Sequence, residues 1–285
     1  MTENRFKVLV SDIDWTLLGP SGDVHPADAD AISALKDAGV HVTLCTGRMF
    51  TGTQPLALEL ELDAPLACVD GSHIAHSISG SLLACAPLPD TGLDELFRVI
   101  GEHGIAPFAF SDRHLFHDGS GSPFLEYVST WSEHLLELEG LLVDATWRVD
   151  RPVAAVLALG SQKQVLGAEL ALASRAPGLL QSVCFESLRT FDASGDPAWA
   201  LLVRAAGIDK GTALDWLARH YGVSVGEMVA VGDWLNDVPM LKRAGLSFAM
   251  AQAPEAVRNA AHHVLKAHGE RGGGIAEAAQ LAGLL

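Results

Sequence analysis

Short apolar runs alternate with amphipathic segments along the first third of the chain. FKVLVSD (6–12) is apolar at consecutive positions and predicts a buried strand. PADADAISALKDAG (26–39) opens on Pro26, puts Ala31, Ile32 and Leu35 on one face and stops at Gly39, which predicts a helix. VHVTLCTG (40–47) predicts a second strand, FTGTQPLALELEL (50–62) a helix and APLACVDGS (64–72) a third strand. The pattern returns near the C-terminus: helix in KGTALDWLARHYG (210–222), strand in EMVAVGD (227–233), short helix in VPMLKRAG (238–245), strand in LSFAMA (246–251) and helix from Pro254 in PEAVRNAA (254–261). Strands apolar throughout and separated by helices point to a doubly wound parallel sheet covered on both faces, an α/β fold.

The middle is patterned differently. Helix candidates LDELFRVIGEHG (93–104) and QKQVLGAELALASRA (162–176) alternate with strand candidates APFAFSD (106–112), ATWRV (145–149) and PVAAVLALG (152–160). Pro87 and Pro89 mark one seam and GDP (195–197) the other. The expected organisation is therefore a core of residues 1–85 and 195–285 with an inserted α/β domain of residues 86–194.

Length and charge narrow the function. A chain of 285 residues suits one large or two modest domains. The net charge of −16, without a block of Lys or Arg, argues against a nucleic-acid or anionic-membrane partner. The apolar run after Arg5 breaks at Asp12, too early for a secretory signal, and no run is long enough to span a bilayer. Cys45, Cys68, Cys85 and Cys184 form no CxxC pair and read as reduced thiols of a cytoplasmic protein.

Four stretches carry chemistry. In VLVSDIDWTLL (8–18), Asp12 and Asp14 end the first strand two residues apart, so an extended backbone would point both carboxylates the same way. Thr46-Gly47-Arg48 ends the second strand, where open parallel sheets collect ligands; a hydroxyl and unhindered N–H groups suit an anion, although alone it is an ordinary turn with a solvated Arg. Lys210 stands at a helix start, an anion-binding position or merely a surface lysine. In VAVGDWLNDVPML (229–241), Asp233, Asn236 and Asp237 fall at a strand-to-helix junction, where one helix cap would explain one Asp but not two. Together, three carboxylates at the ends of two parallel strands would suit a hard divalent cation such as Mg²⁺, with Thr46, Lys210 and backbone N–H groups neutralising a phosphate.

DxDxT, TGR, an isolated Lys and GDxxND in this order resemble the haloacid dehalogenase superfamily, and the insertion resembles the large α/β cap of its Cof-type phosphatase branch. The resemblance implies an Mg²⁺-dependent phosphatase of small phosphorylated metabolites, a monomer or homodimer. A sugar phosphate is the first expectation, a phosphorylated cofactor such as pyridoxal phosphate or a flavin nucleotide the next. It implies that Asp12 is the nucleophile forming an aspartyl-phosphate and Asp14 the general acid and base. Thr46, Gly47, Lys210 and Asn236 would bind the phosphoryl group. The metal would be held by the Asp12 carboxylate, the Asp14 carbonyl and Asp233, with Asp237 bonding to a metal water or to Lys210. A sugar phosphomutase of the same superfamily and a non-catalytic phosphometabolite sensor are the alternatives.

Three positions depart from that pattern. Trp15 and Trp234 replace smaller residues and would either pack behind the site or narrow its mouth; Asp70 stands where relatives carry Asn and would either point away or select amine- or hydroxyl-bearing substrates. Arg48, Asp70, Trp15 and Trp234 are thus candidate substrate-lining residues, as are DRHLFHD (112–118) and Trp131 in the insertion. His262, His263 and His268 match no zinc-ligand spacing and read as surface.

Overall fold

The computed structural model describes residues 5–111, 114–132, 134–192 and 194–285, with the backbone alone at 188 and 189. In chain order its elements are β1 (Val8–Ser11), α1 (Pro26–Asp37), β2 (His41–Leu44), α2 (Phe50–Glu59), β3 (Pro65–Cys68), β4 (His73–His76), β5 (Leu82–Cys85), α3 (Asp90–His103), β6 (Ala106–Ser111), β7 (His114–His117), α4 (Leu125–Val128), β8 (Leu135–Glu137), β9 (Val153–Gly160), α5 (Gln162–Arg175), β10 (Leu180–Phe191), β11 (Pro197–Ala205), α6 (Lys210–Tyr221), β12 (Met228–Gly232), α7 (Val238–Arg243), β13 (Leu246–Ala249), α8 (Glu255–Arg258), β14 (His263–Val264) and α9 (Gly274–Leu281). No described helix is long and apolar enough to cross a membrane.

The chain divides into two units. The first comprises the chain up to Gly47, Thr53–Leu83 and Ile208–Leu285. Its five-stranded sheet has the order β14-β13-β12-β1-β2, and every neighbouring pair is parallel. β1 and β12 are buried along their whole length, as the unbroken apolar runs predicted. α1 buries Ala31, Ile32 and Leu35 as its spacing requires. It also buries Asp28, whose carboxylate accepts the Gly273 and Ala276 amides at 2.7 and 2.9 Å and so caps α9. That contact joins residues 245 and 248 positions apart and has no signature in the local sequence.

β3 meets the extension of β2 in the parallel sense expected, but at one position only, the Cys45–Ala67 bridge. It opens a three-stranded sheet, β3-β4-β5, in which β4 runs antiparallel to it. The chain returns from β3 to β4 through a tight 3₁₀ turn at Val69–Gly71. Parallel pairing needs a crossover of a dozen or more residues, and a short turn permits only the antiparallel partner.

The second unit comprises Arg48–Gly52 and Ala84–Gly207. Its sheet runs β10-β11-β9-β6-β7-β8, and α3 and α5 cover a core of Leu96, Phe97, Ile100, Val156, Ala158 and Leu201. Residues 195–207, expected in the first unit, fall here, because β11 pairs along its length with β9 and β10. ATWRV is not a strand. Asp144 caps a 3₁₀ turn at Ala145–Arg148 by accepting the Thr146 amide at 2.9 Å, and Trp147 is buried between Phe97 and Phe116. Trp131 lies near-parallel to Phe185, ring centroids 6.4 Å apart. Of the 112–118 segment, Asp112 and Arg113 lie outside the described residues.

Candidate active site

β1 ends at Ser11, and Asp12 follows with its amide still bonded to the Val231 carbonyl at 3.0 Å. This last rung of the sheet holds the Asp12 carboxylate at the carboxyl edge of β1, beside the end of β12. The strand goes no further. Asp14 lies in the turn beyond and is exposed, whereas Asp12 is 6% exposed. The two carboxylates thus differ in burial, Asp12 held inside at the strand's edge and Asp14 open to solvent just beyond it.

The groups that crowd Asp12 come from elsewhere in the chain. Lys210 begins α6, where Asp209 caps the helix, and its side chain is fully buried. Its Nζ donates to Asp12 Oδ1 and to Asp237 Oδ1, both at 2.6 Å. Asp237 uses its other oxygen to accept the Asp233 and Trp234 amides at 2.8 and 2.9 Å. Asp233 in turn accepts the Thr16 hydroxyl at 3.1 Å, which ties the loop after β12 to the loop after β1. Asp12, Asp233 and Asp237 each bring a carboxylate oxygen within 4.8 Å of the others.

Burial, then the charges of Asp237 and Asp233, push the Asp12 carboxyl well above the usual carboxylate range against the pull of Lys210. Burial and Asp237 push Asp233 up to about 7. Burial works against the ammonium of Lys210, but the carboxylates of Asp12, Asp237 and Asp70 outweigh it and hold the group charged. One ammonium among several buried carboxylates leaves a deficit of positive charge. An all-oxygen donor set of this kind suits a hard cation. Asp237 is the least available donor, since Lys210 and two amides already occupy both its oxygens.

Asp70 does not point away. Val69 and Asp70 adopt φ of 50° and 51°, and Asp70 is 2% exposed. Its amide donates to the Thr46 carbonyl at 2.8 Å, and its Oδ1 accepts the Asn236 side-chain amide at 2.8 Å. A Cβ at Gly47 would lie 3.6 Å from Asp70 Oδ1 and 3.8 Å from Asn236 Nδ2, so Thr46, Gly47, Asp70 and Asn236 gather at one place. Arg48 belongs to the second unit, where its guanidinium donates to the Gly52 carbonyl at 3.4 Å. His262, His263 and His268 go to separate partners, Ser247, Phe248 and Glu270, and form no metal cluster among the described residues.

Three further participants have no role assigned from the sequence. Thr16 stood in the DxDxT motif and was legible there. Gln252 donates to the Trp15 carbonyl at 2.7 Å and accepts the Gly269 amide at 2.9 Å, and nothing in AQAPEA announces it. Cys45 is buried close enough to Lys210 and Asp70 to feel both charges, and burial pushes its thiol far up.

Residues 9–278 match the family model described as haloacid dehalogenase-like hydrolase. Pyridoxal phosphate phosphatase YbhA of Escherichia coli (strain K12) is 25% identical over 264 residues, covering 91% of this chain and 93% of that protein. HMP-PP phosphatase of Serratia proteamaculans is 24% identical over 251 residues, covering 87% and 85%. Among solved structures, a haloacid dehalogenase-like hydrolase from Bacteroides thetaiotaomicron superposes with a TM-score of 0.82 at 24% identity, covering 97% of this chain and 99% of that one.

Proposed function

The chain belongs to the haloacid dehalogenase-like hydrolases as a phosphatase, and we propose that it hydrolyses a small phosphorylated metabolite with Mg²⁺ through an aspartyl-phosphate. The observation that carries this reading is the buried contact of Lys210 with Asp12 at the carboxyl edge of β1. It holds a carboxylate oxygen in place beside a fixed positive charge, which phosphoryl transfer needs above all.

In this reading the Asp12 carboxylate attacks phosphorus and the bond to the ester oxygen breaks. Asp14, outside the buried cluster and open to solvent, donates a proton to that leaving oxygen. It then takes a proton from the water that attacks phosphorus, and Asp12 is released with inorganic phosphate. Lys210 neutralises the transferring group, and Thr46, the backbone around Gly47 and Asn236 bind its oxygens. Asp237 holds Lys210 in position. The carboxylates of Asp12 and Asp233, with the Asp14 carbonyl, would hold Mg²⁺, which supplies the positive charge that the carboxylate cluster lacks. The second unit is assigned the selection of the organic part of the substrate. Four free cysteines accord with work in the reducing cytoplasm.

Phosphate release from a panel of phosphorylated metabolites, with and without Mg²⁺, tests the reading. Release should require the metal and vanish in Asp12→Asn. Release undiminished in Asp12→Asn, or from no ester at all, would overturn it.

A further inference from the structure

Trp15 and Trp234 are left over by this mechanism, and packing does not account for them. Trp15 is 41% exposed and Trp234 57%, beside Leu235 at 54%. Among the described residues neither indole stacks on another ring, and neither donates its N–H. Trp15 also adopts φ 60°, a left-handed conformation that glycine takes freely and a bulky side chain only under strain. A strained backbone carrying an exposed indole points to a use for the side chain outside the fold.

Both residues are fixed at the site. The Trp15 amide donates to the Leu18 carbonyl at 2.8 Å and its carbonyl accepts from Gln252 at 2.7 Å. Gly269 packs directly on that carbonyl, so closely that any side chain there would strike it. The Trp234 amide is bound to Asp237 at 2.9 Å. The two residues adjoin opposite ends of the Thr16–Asp233 hydrogen bond, each one position away. The loops that carry the indoles are therefore rigid and joined, and ordering a tryptophan against a ligand restricts only two side-chain torsions.

We propose that Trp15 and Trp234 hold the planar ring of an aromatic phosphate ester above the Asp12–Lys210 pair. The inference rests on the phosphatase reading and deepens it by naming the substrate class. Asp12, Lys210, Asp233 and Asp237 are charged, and Trp15 and Trp234 bring exposed apolar surface on the loops next to them in the chain. An indole face favours a flat π-system, and an electron-poor or cationic ring more than a neutral one. Stacking of one planar ring on an aromatic side chain is worth roughly fivefold to more than a hundredfold in affinity. Sugar phosphates, the first expectation from the sequence, present no such ring.

The test is the selectivity ratio, kcat/KM for pyridoxal 5′-phosphate over that for glucose 6-phosphate. It should fall at least about fivefold in Trp15→Gly and in Trp234→Ala, through KM for the aromatic ester. Trp15→Phe and Trp234→Phe should keep most of it. Trp15→Gly relieves the positive φ and should melt no lower than the parent, which separates loss of the ring from loss of the loop. A ratio unchanged within about twofold, or Phe variants as impaired as Gly and Ala, would sink the inference while leaving phosphatase activity intact. If the parent hydrolyses neither ester there is no ratio to read, and the phosphatase reading stands or falls on the metabolite panel instead. Calorimetric titration of parent and Trp15→Gly with pyridoxal 5′-phosphate then decides the ring-binding role, and binding that is absent or equal in the two proteins overturns it.

Discussion

Gly232 closes β12 directly against Asp237. A methyl group there would lie 2.5 Å from Asp237 Cγ, 2.6 Å from Oδ2 and 2.7 Å from Cβ. Comfortable carbon contacts need about 3.5–4.0 Å. Asp237 is not free to swing aside, because Lys210 and the Asp233 and Trp234 amides hold its carboxylate. Gly232→Ala therefore has two ways to relax. If the backbone moves, the cost is that of overpacking, about 1–3 kcal/mol. If Asp237 moves, three bonds to its carboxylate, each charge-assisted and worth about 1.5–3 kcal/mol, are lost. The first route costs less, so the expected loss of stability is about 2 kcal/mol. The shift falls on the loop carrying Asp233, and kcat should fall about tenfold to a hundredfold, since misplacements of about 1 Å can cost that much. Urea unfolding followed by circular dichroism measures the stability and phosphate release measures the rate. Asp237→Gly deletes all three atoms that the methyl would strike. In that background Gly232→Ala should cost less than about 1 kcal/mol, because changes that share a contact do not add. A Gly232→Ala protein as stable and active as the parent would refute the reasoning, as would an equal cost in the two backgrounds.

Asp28→Ala removes the acceptor of two α9 amides, and urea unfolding should show a loss of about 1–3 kcal/mol; a change under about 0.5 kcal/mol would mean that water caps the helix as well. Saturating Mg²⁺ should raise the melting temperature of the parent, with about 2.7 kcal/mol of stabilisation at a hundred times Kd. Asp233→Asn should lose most of that gain, and an equal gain in both proteins would place the cation elsewhere. Burial, then the nearby Glu169 charge, pushes the half-buried Cys184 thiol up to about 12. Its iodoacetamide reaction in the folded protein should thus rise about tenfold per pH unit through pH 10, since only the thiolate reacts. A plateau near pH 9, as for an ordinary thiol, would contradict the buried placement.

Which residues gather at the candidate site was legible along the chain, and the reason is local. Unbroken apolar runs such as VLVS and MVAVG can be buried only as strands of a sheet covered on both faces. The polar residues that end those runs must then emerge at the sheet's carboxyl edge, where ligands bind in open α/β sheets. Asp12, Thr46, Asp233 and Asp237 were readable on that ground, and Lys210 from its place at a helix start. Tertiary structure decided everything that depends on where a strand stops and on which distant loop it meets. The end of β1 at Ser11 leaves Asp12 buried and Asp14 exposed, and the turn after Cys68 gives β3 an antiparallel partner in β4. Lys210 reaches Asp12 across 198 positions and Asn236 reaches Asp70 across 166. Such bonds leave no periodicity to read, because they are set by strand register and loop path. Trp15 belongs with them: in sequence it could either pack behind the site or narrow its mouth, and only the structure, with φ at 60° and the residue 41% exposed, decides that it is open to solvent.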